Sequence, residues 1–431
     1  MYFINVFPRI YFFFIIAYLI GTIVMASKSQ KKVEVLKACA YIVGAEVLFR
    51  MTNGAVFYEA SKYLVIVFVL IGMFYDGVSN RGYPYFIFLI LLVPSIVVAS
   101  STIGFDSNFR TNVAFVLTGP VCLGVSALYC FEKKVTRKQV LDIILYLGLP
   151  IVSLTTYLFL YSPSIKDTLI GTQSNFAASG GFGPNQVSTV LGIGMFVFCA
   201  FIFLKSKNLV ITIINAALFA AITFRAIVTF SRGGVITGIL MIFVFLLFLY
   251  FKSRSQEKNK IMVSFAIIIG VLGFTWAYSI SQTEGLIEKR YNNQNASGVE
   301  KPDISAGRID LFLGELEGFI ENPFIGVGAS GMKEMRIERI GRGIVSHNEL
   351  SRLLSEHGLI GILILLILIL RPLIYRNEHR ENVFFYVFFC FWFATINHSA
   401  MRIAAPGFIY GLALLYVINE KYSIRRKRII A

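Results

Sequence analysis

Apolar residues fill long runs of this chain, and polar residues collect in the gaps between them. Runs near 10–26, 36–49, 60–75, 83–100, 111–130, 139–161, 187–204, 208–224, 232–251, 261–280, 358–375, 383–398 and 405–419 each suit a membrane-crossing helix. The run at 36–49 is short and reads as re-entrant or as one of a tilted pair. The pattern therefore predicts about 12 to 13 spans, and the expected fold class is an all-α polytopic membrane protein. One long gap, 281–347, reads as a large external loop. Within it, Ile309, Phe312, Leu313, Leu316 and Phe319/Ile320 follow the spacing of an amphipathic helix over Ser305–Ile320, lying along the outer interface. Asn322-Pro323 ends that helix, and Gly326, Gly328 and Gly331 then predict a flexible turn.

Composition agrees. The 431 residues are 56% hydrophobic and only 15% charged, with mean hydropathy +0.72, whereas soluble domains carry about 25% charged residues. The first apolar run, Ile10–Ala26, lacks a positive leading segment and an A-x-A end, so it reads as a span and not a cleaved signal. The five cysteines (Cys39, Cys122, Cys130, Cys199, Cys390) all fall in apolar runs, none at metal-ligand spacing. No metal site and no cofactor is expected.

A net charge of +16 would suit nucleic acid, but its distribution excludes that partner. Basic residues gather at Lys28/Lys31/Lys32, Lys133/Lys134/Arg137/Lys138, Lys205/Lys207, Lys252/Arg254/Lys258/Lys260, Arg371/Arg376/Arg380 and Arg425–Arg428. These clusters alternate with segments that lack them, which is the positive-inside pattern and leaves membrane lipid as the partner of the charge. The alternation puts 162–186, 225–231, 281–347 and 399–404 on the outer face. The stretch 281–346 carries 8 Lys/Arg against 10 Asp/Glu, unlike the rest of the chain.

Four polar groups fall on that outer side. Gly180-Gly181-Phe182-Gly183-Pro184-Asn185 precedes a span; it is either an anion site of outward N–H groups or a plain turn. Ser231-Arg232-Gly233-Gly234 starts another, with Arg232 either snorkelling or meeting an anion, and the glycines admitting a bulky ligand. Arg225, a turn earlier, reads as an interface anchor. Arg308 lies on the amphipathic helix, and beyond it Lys333, Arg336, Arg339 and Arg342 recur among Glu334 and Glu338. That last cluster reads as a solvated, salt-bridged face before a phosphate site. The fourth group is His347-Asn348, followed by Gly358 and Gly361 in the pattern H-N-x9-G-x-x-G. On one continuous helix, Gly358 and Gly361 would lie about 20° and 40° from His347, making a glycine groove below an imidazole. His398 could line the same cavity, His357 would point about 80° away, and His379 sits in a basic loop.

Gly183-Pro184-Asn185, Ser231-Arg232-Gly233, Gly307-Arg308 with Glu321-Asn322-Pro323 and Gly326-Val327-Gly328, and His347-Asn348 with Gly358 and Gly361 together resemble the O-antigen ligase / O-antigen polymerase superfamily. The resemblance covers roughly 175–375 and predicts three regions: N-terminal helices 1–174, a catalytic region 175–375 containing the periplasmic loop 281–347, and C-terminal helices with a basic tail, 376–431. It implies transfer of a glycan from undecaprenyl diphosphate to an acceptor glycan or lipid A-core at the periplasmic face of the bacterial inner membrane. It also implies that His347 is the general base, that Arg232 and Arg308 hold the diphosphate, and that neither metal nor nucleotide is used. Asn185, Asn348, Gly358, Gly361, Arg336 and Arg339 are the candidate substrate-binding residues.

The residues support such chemistry by themselves. Arginine gives bidentate, permanently charged contacts to phosphate, and a neutral imidazole can accept a hydroxyl proton. A flippase of lipid-linked oligosaccharide is the competing class. It predicts polar or broken-helix residues near the bilayer midplane, whereas the polar groups here gather at outer helix ends. Ligase and polymerase are not separable on sequence.

Overall fold

The structure is a computed structural model that describes residues 2–104, 107–165, 171–206, 208–253, 255–303, 305 and 307–418. The helices in chain order begin with α1 (Tyr2–Met25), α2 (Lys31–Met51), α3 (Ala60–Asp76), α4 (Tyr83–Leu91), α5 (Val93–Thr102) and α6 (Phe109–Cys130). Next come α7 (Arg137–Tyr161), α8 (Pro184–Leu204), α9 (Leu209–Val228), α10 (Arg232–Lys252), α11 (Ser255–Gln282) and α12 (Leu286–Tyr291). The series ends with α13 (Arg308–Glu321), α14 (Gly331–Ile340), α15 (Glu349–His357), α16 (Leu359–Glu378), α17 (Phe385–His398) and α18 (Ala405–Ala413). Two three-residue strands, β1 (Lys134–Thr136) and β2 (Tyr416–Ile418), pair with each other. The basic cluster Arg425–Arg428, Lys207 and Arg254 lie outside the described residues.

The chain is an all-α polytopic membrane protein. Nine helical segments among the described residues are long and apolar enough to cross a membrane. This is fewer than the apolar runs predict, for local reasons. The run at 60–75 gives α3, which has 17 residues and falls just short, while the run at 83–100 is two helices, α4 and α5, separated at Leu92 just before Pro94, that still count as one candidate. The run at 405–419 gives only the nine-residue α18 before β2, and α17 has 14 residues. The doubtful run at 36–49 belongs to an unbroken 21-residue helix, α2, that carries Lys31, Lys32, Glu34, Lys37, Glu46 and Arg50. It tolerates that charge because Glu46 and Arg50 pair within the helix, 2.5 Å apart, and both are buried.

The chain divides into two compact units. The first comprises Met1–Ala60, Thr136–Ile304 and Tyr386–Phe391. Its heart is α8, 89% buried. Small residues set the spacing between α8 and α10: a Cβ on Gly192 would stand 2.4 Å from the Gly234 carbonyl oxygen. Such close backbone approach is how helices pack where lipid removes the hydrophobic drive between them. The second unit comprises Ser61–Val135, Ser305–Phe385 and Trp392–Ala431. There α6 is central and α18 lies against it, with a Cβ on Gly407 only 2.8 Å from the Leu123 backbone nitrogen.

The long loop is folded. Its amphipathic helix exists as α13, ending at Asn322-Pro323 as the sequence predicts. The helix is laid face outward: Ile309, Leu313 and Ile320 are exposed, while Glu315 and Gly318 are buried. The segment Gly326–Ala329 is not a flexible turn. Val327 and Gly328 donate their N–H groups to the Ser355 and Glu356 carbonyls at 2.9 and 3.1 Å, and Ala329 donates to Ser95. These bonds occupy orphan carbonyls at the C-terminal end of α15. Gly326 and Gly328 are required because both have positive φ (70° and 81°) and neither has room for a Cβ.

Candidate active site

In the first unit the site begins where α9 ends. Phe230, fully buried, is held at φ 59°, a conformation costing a bulky residue of order 1–3 kcal/mol. The next residue, Ser231, donates its hydroxyl to Asn185 Oδ1 at 2.7 Å and receives the Ser188 hydroxyl at 2.9 Å. Two separate sequence motifs are thereby joined, and Arg232 is set in the first turn of α10. Arg290 donates Nε–H to the Phe230 carbonyl at 3.2 Å, a neighbour that the sequence did not single out.

The glycines of these motifs serve the backbone. Gly180, Gly181 and Phe182 donate their N–H groups to Ala177, Phe176 and Ser179, so they form a turn and not an outward anion nest. A Cβ on Gly234 would lie 2.2 Å from Ser188, so that glycine admits α8 instead of a bulky ligand. Arg225, expected at the interface, is buried and donates to the Ser162 hydroxyl and the Ala178 carbonyl at 3.0 and 2.9 Å.

In the second unit a cavity of about 200 Å³ is lined by Arg308, Leu311, Phe312, Glu315, Ser346, His347, Asn348 and Asn397, with Ile309. Arg308, Leu311 and Glu315 recur at i, i+3 and i+7 along α13, so one helix face supplies an arginine and a carboxylate. Glu315 is 1% exposed and accepts from Arg336 Nη2 at 2.6 Å, Ser346 Oγ at 3.1 Å and Ser351 Oγ at 2.5 Å. It therefore fixes both sides of the segment that carries His347.

His347 does not belong to a continuous helix with Gly358 and Gly361. Asn348 is the N-cap of α15, its Oδ1 accepting from Leu350 and Ser351 N–H at 2.8 and 3.2 Å, which leaves His347 outside the helix. The Asn348 amide also donates to Asn397 Oδ1 at 3.2 Å. Gly358, at φ 62° and ψ −139°, then breaks the chain into α15 and α16. An added Cβ at Gly358 would meet the Pro323 carbonyl oxygen at 2.5 Å, and one at Gly361 would meet Leu353 O at 2.0 Å. Both positions are filled by the protein's own backbone, so the geometry of an imidazole above a glycine groove is not realised.

The position of His347 is set from the far end of the unit. Its carbonyl accepts the Ala400 N–H at 3.1 Å, and Arg402 donates to the Val345 and Ser346 carbonyls at 3.3 and 2.9 Å. Burial first, then the fields of Arg402 and Arg308, push the imidazole pKa down from 6.5 to about 4, opposed by the Val345 backbone. The ring is neutral at physiological pH. Arg336 is buried on Glu315 and also donates to the Ile344 carbonyl at 2.9 Å, while Arg339 forms an exposed pair with Glu321 at 3.1 Å. His398 ends α17, its Nδ1 2.9 Å from the Ala394 carbonyl, and the cavity wall takes its neighbour Asn397. His357 is buried at the end of α15, and His379 stacks on Tyr375.

The model of the family described as O-antigen ligase matches residues 216–366. The match covers about a third of the chain and marks residues 216–366 as similar to that family. The ligase-family region contains Arg232, Arg308 and His347 and stops short of Asn397 and Arg402, which help frame the imidazole. It supports an O-antigen ligase- or polymerase-type membrane glycosyltransferase in general, with lipid-linked glycan and acceptor as partners. No curated protein matches the chain. Among the described residues no group of three or more His, Cys, Asp or Glu could hold a metal ion.

Glu315 is the residue that sequence reasoning missed, while Asn397 and Arg402 entered it only as neighbours of His398 and were given no role. For Glu315 a signal existed: it stands seven residues after Arg308 and so shares its face of α13, to one side of the apolar stripe. Asn397 and Arg402 are more than 45 residues away from His347 in the chain and carry no local pattern.

Proposed function

We propose that the protein transfers a glycan from undecaprenyl diphosphate to an acceptor hydroxyl at the periplasmic face of a bacterial inner membrane, without metal or cofactor. The observation that supports this best is a neutral imidazole and an arginine sharing the wall of one small cavity inside a ligase-family region. His347 accepts the proton of the acceptor hydroxyl as that oxygen bonds to the anomeric carbon. The bond from that carbon to the diphosphate oxygen breaks with its electron pair, and undecaprenyl diphosphate leaves. Arg308 and Arg232 stabilise the charge that develops on the leaving group.

A base with pKa near 4 is weak at pH 7, and donor binding corrects it. Arg308 is one of the charges that depress His347. A diphosphate beside Arg308 offsets that field, so the imidazole becomes more basic when the leaving group is in place.

The test is glycan transfer by His347→Ala and Arg232→Ala in cells. Both should lose surface glycan while inserting and accumulating normally, with the base alone contributing about 10²–10⁴-fold. Near-normal glycan in both would end this reading. The glycan ladder of a deletion strain then separates the two subclasses. Core capped by a single repeat unit marks a lost polymerase; uncapped core with undecaprenyl-linked polymer marks a lost ligase.

A further inference from the structure

Two cavities larger than the one at His347 lie in the first unit. The first, about 660 Å³, sits behind Gly171–Ala177, where Lys301 donates to the Thr172 hydroxyl at 2.7 Å and Thr172 donates to the Gln294 carbonyl at 2.8 Å. Two loops distant in sequence are thereby closed on one another. The second, about 1330 Å³, lies where α1, the C-terminal end of α2 and the turn Gly181-Phe182 meet. It exceeds the roughly 300–1,000 Å³ of ordinary small-molecule sites, and no role has been assigned to it above.

The lining of this larger cavity is mainly apolar. Val6, Ile10 and Phe13 follow at i, i+4 and i+7 along one face of α1, and all three are exposed. Val56 and Phe57, in the loop after α2, line it too and are likewise exposed. Exposed apolar residues gathered in one concavity mark a binding surface. Because α1 is a candidate membrane span with little of its length buried, the neighbour of that surface is lipid.

The cavity is built in advance. Asn53 takes φ 52°, and Gly54 and Ala55 donate their N–H groups to the Phe49 carbonyl at 2.8 and 3.2 Å. Gly54 is packed on α1, since a Cβ there would stand 2.8 Å from the Pro8 carbonyl oxygen. Arg50 is engaged within the wall: it pairs with Glu46 and donates to the Tyr58 carbonyl and to Gln186 Oε1 at 2.9 and 2.8 Å. Arg9 differs. It is exposed on the Val6–Phe13 face of α1, and no ion pair or hydrogen bond holds it among the described residues. The lining contains no carboxylate. An open cation thus stands beside an apolar cavity near the end of a membrane span.

We propose that this cavity binds one anionic phospholipid, with its phosphate on Arg9 and its acyl chains along Ile10, Phe13 and Phe57. A phosphodiester carries one negative charge, which matches the one open cation; a diphosphate brings more charge than the lining offers. The bound lipid meets Phe182, and the turn that follows leads to Asn185, which accepts the Ser231 hydroxyl. The lipid therefore buttresses the turn on which Asn185 stands. The inference goes beyond the transfer reaction and does not depend on it.

The test uses the full chain in detergent, with bound lipid counted by native mass spectrometry. Phosphatidylglycerol, phosphatidylcholine and undecaprenyl phosphate are titrated in turn, and phosphatidylglycerol should bind most tightly. Arg9→Gln should weaken it about fivefold, the size of one basic residue acting on anionic lipid, and Arg9→Lys should restore it. Val56→Trp fills the cavity from an exposed position without touching the charge and should weaken it at least twofold. Arg110→Gln, at an exposed arginine of the second unit, should leave it unchanged. Less than twofold change in Arg9→Gln, or an equal loss in Arg110→Gln, would overturn the site. Phosphatidylcholine binding as tightly, or undecaprenyl phosphate binding more tightly through Arg9, would overturn the assignment to an anionic phospholipid. Because the readout is lipid binding, its failure is distinguishable from a failed His347→Ala transfer test.

Discussion

The two cation-bearing regions solve opposite problems. Around His347 the protein encloses a small cavity and places a buried carboxylate, Glu315, among the donors, so Arg336 is fixed, while burial and the fields of Arg402 and Arg308 keep the imidazole neutral. In the first unit the cavity behind Gly171–Ala177 is more than three times larger, and its Lys301 donates to the Thr172 hydroxyl. A carboxylate partner offsets the charge of the cation it holds, whereas a hydroxyl partner orients the cation and ties the chain that carries it. The difference teaches that one region fixes its segment with a buried charge and the other closes two loops with hydrogen bonds to neutral groups.

The comparison can be broken most sharply at Glu315. Glu315→Ala leaves the Arg336 guanidinium buried without its carboxylate, which is expected to cost about 3–5 kcal/mol and to appear as a large drop in unfolding temperature. Asp142→Ala, at an exposed pair with Lys205 in the first unit, should not move the melt comparably. Similar melts for the two variants would remove the distinction. Gly358→Ala comes next: its positive φ and the 2.5 Å contact with Pro323 O predict destabilisation of roughly 3 kcal/mol, read as lost accumulation in membranes.

The third prediction is a pH profile. With the His347 pKa depressed to about 4, the base is neutral through pH 5–8 and kcat/KM is flat there, falling only as pH drops toward 4. The same shift has a stability sign. The folded state binds fewer protons than the unfolded chain, so stability is full above about 6.5 and is lost as pH falls through the folded pKa. An acid limb at 6.5 would contradict the buried, cation-flanked position of the ring. The smallest effect is reserved for Arg339→Ala, where an exposed pair predicts a change within about 0.5 kcal/mol and unaltered transfer.

Hydrophobic runs made the all-α membrane class legible, and the i, i+3, i+4 spacing made α13 legible to within a few residues. Which way α13 faces was not legible, since an exposed apolar stripe and a buried Glu315 reverse the rule for a water-surrounded helix. The break at Gly358 was missed for a related reason. The sequence reading ran His347, Gly358 and Gly361 on one helix into the span 358–375, and only the φ that Gly358 adopts against Pro323 and Phe324 divides it. Glycines read as room for a ligand proved to be room for backbone. The role of Arg402 was not legible, because the carbonyls it holds are set by tertiary contact and leave no trace in local spacing.

The joint at Gly358 bears on how the protein meets membranes of different thickness. Leu359 N–H donates to Pro323 at 2.7 Å, and the Ser355 carbonyl is taken by Val327, so the helical ladder does not run on from α15 into α16. A transmembrane helix adapts to a thicker or thinner bilayer by tilting. Tilt of α16 therefore ends at the bracket formed by Pro323–Ala329 and is not levered into α15, whose cap sets His347. Catalysis is expected to be the same in nanodiscs of short- and long-chain lipid, giving the enzyme a chemistry independent of bilayer thickness.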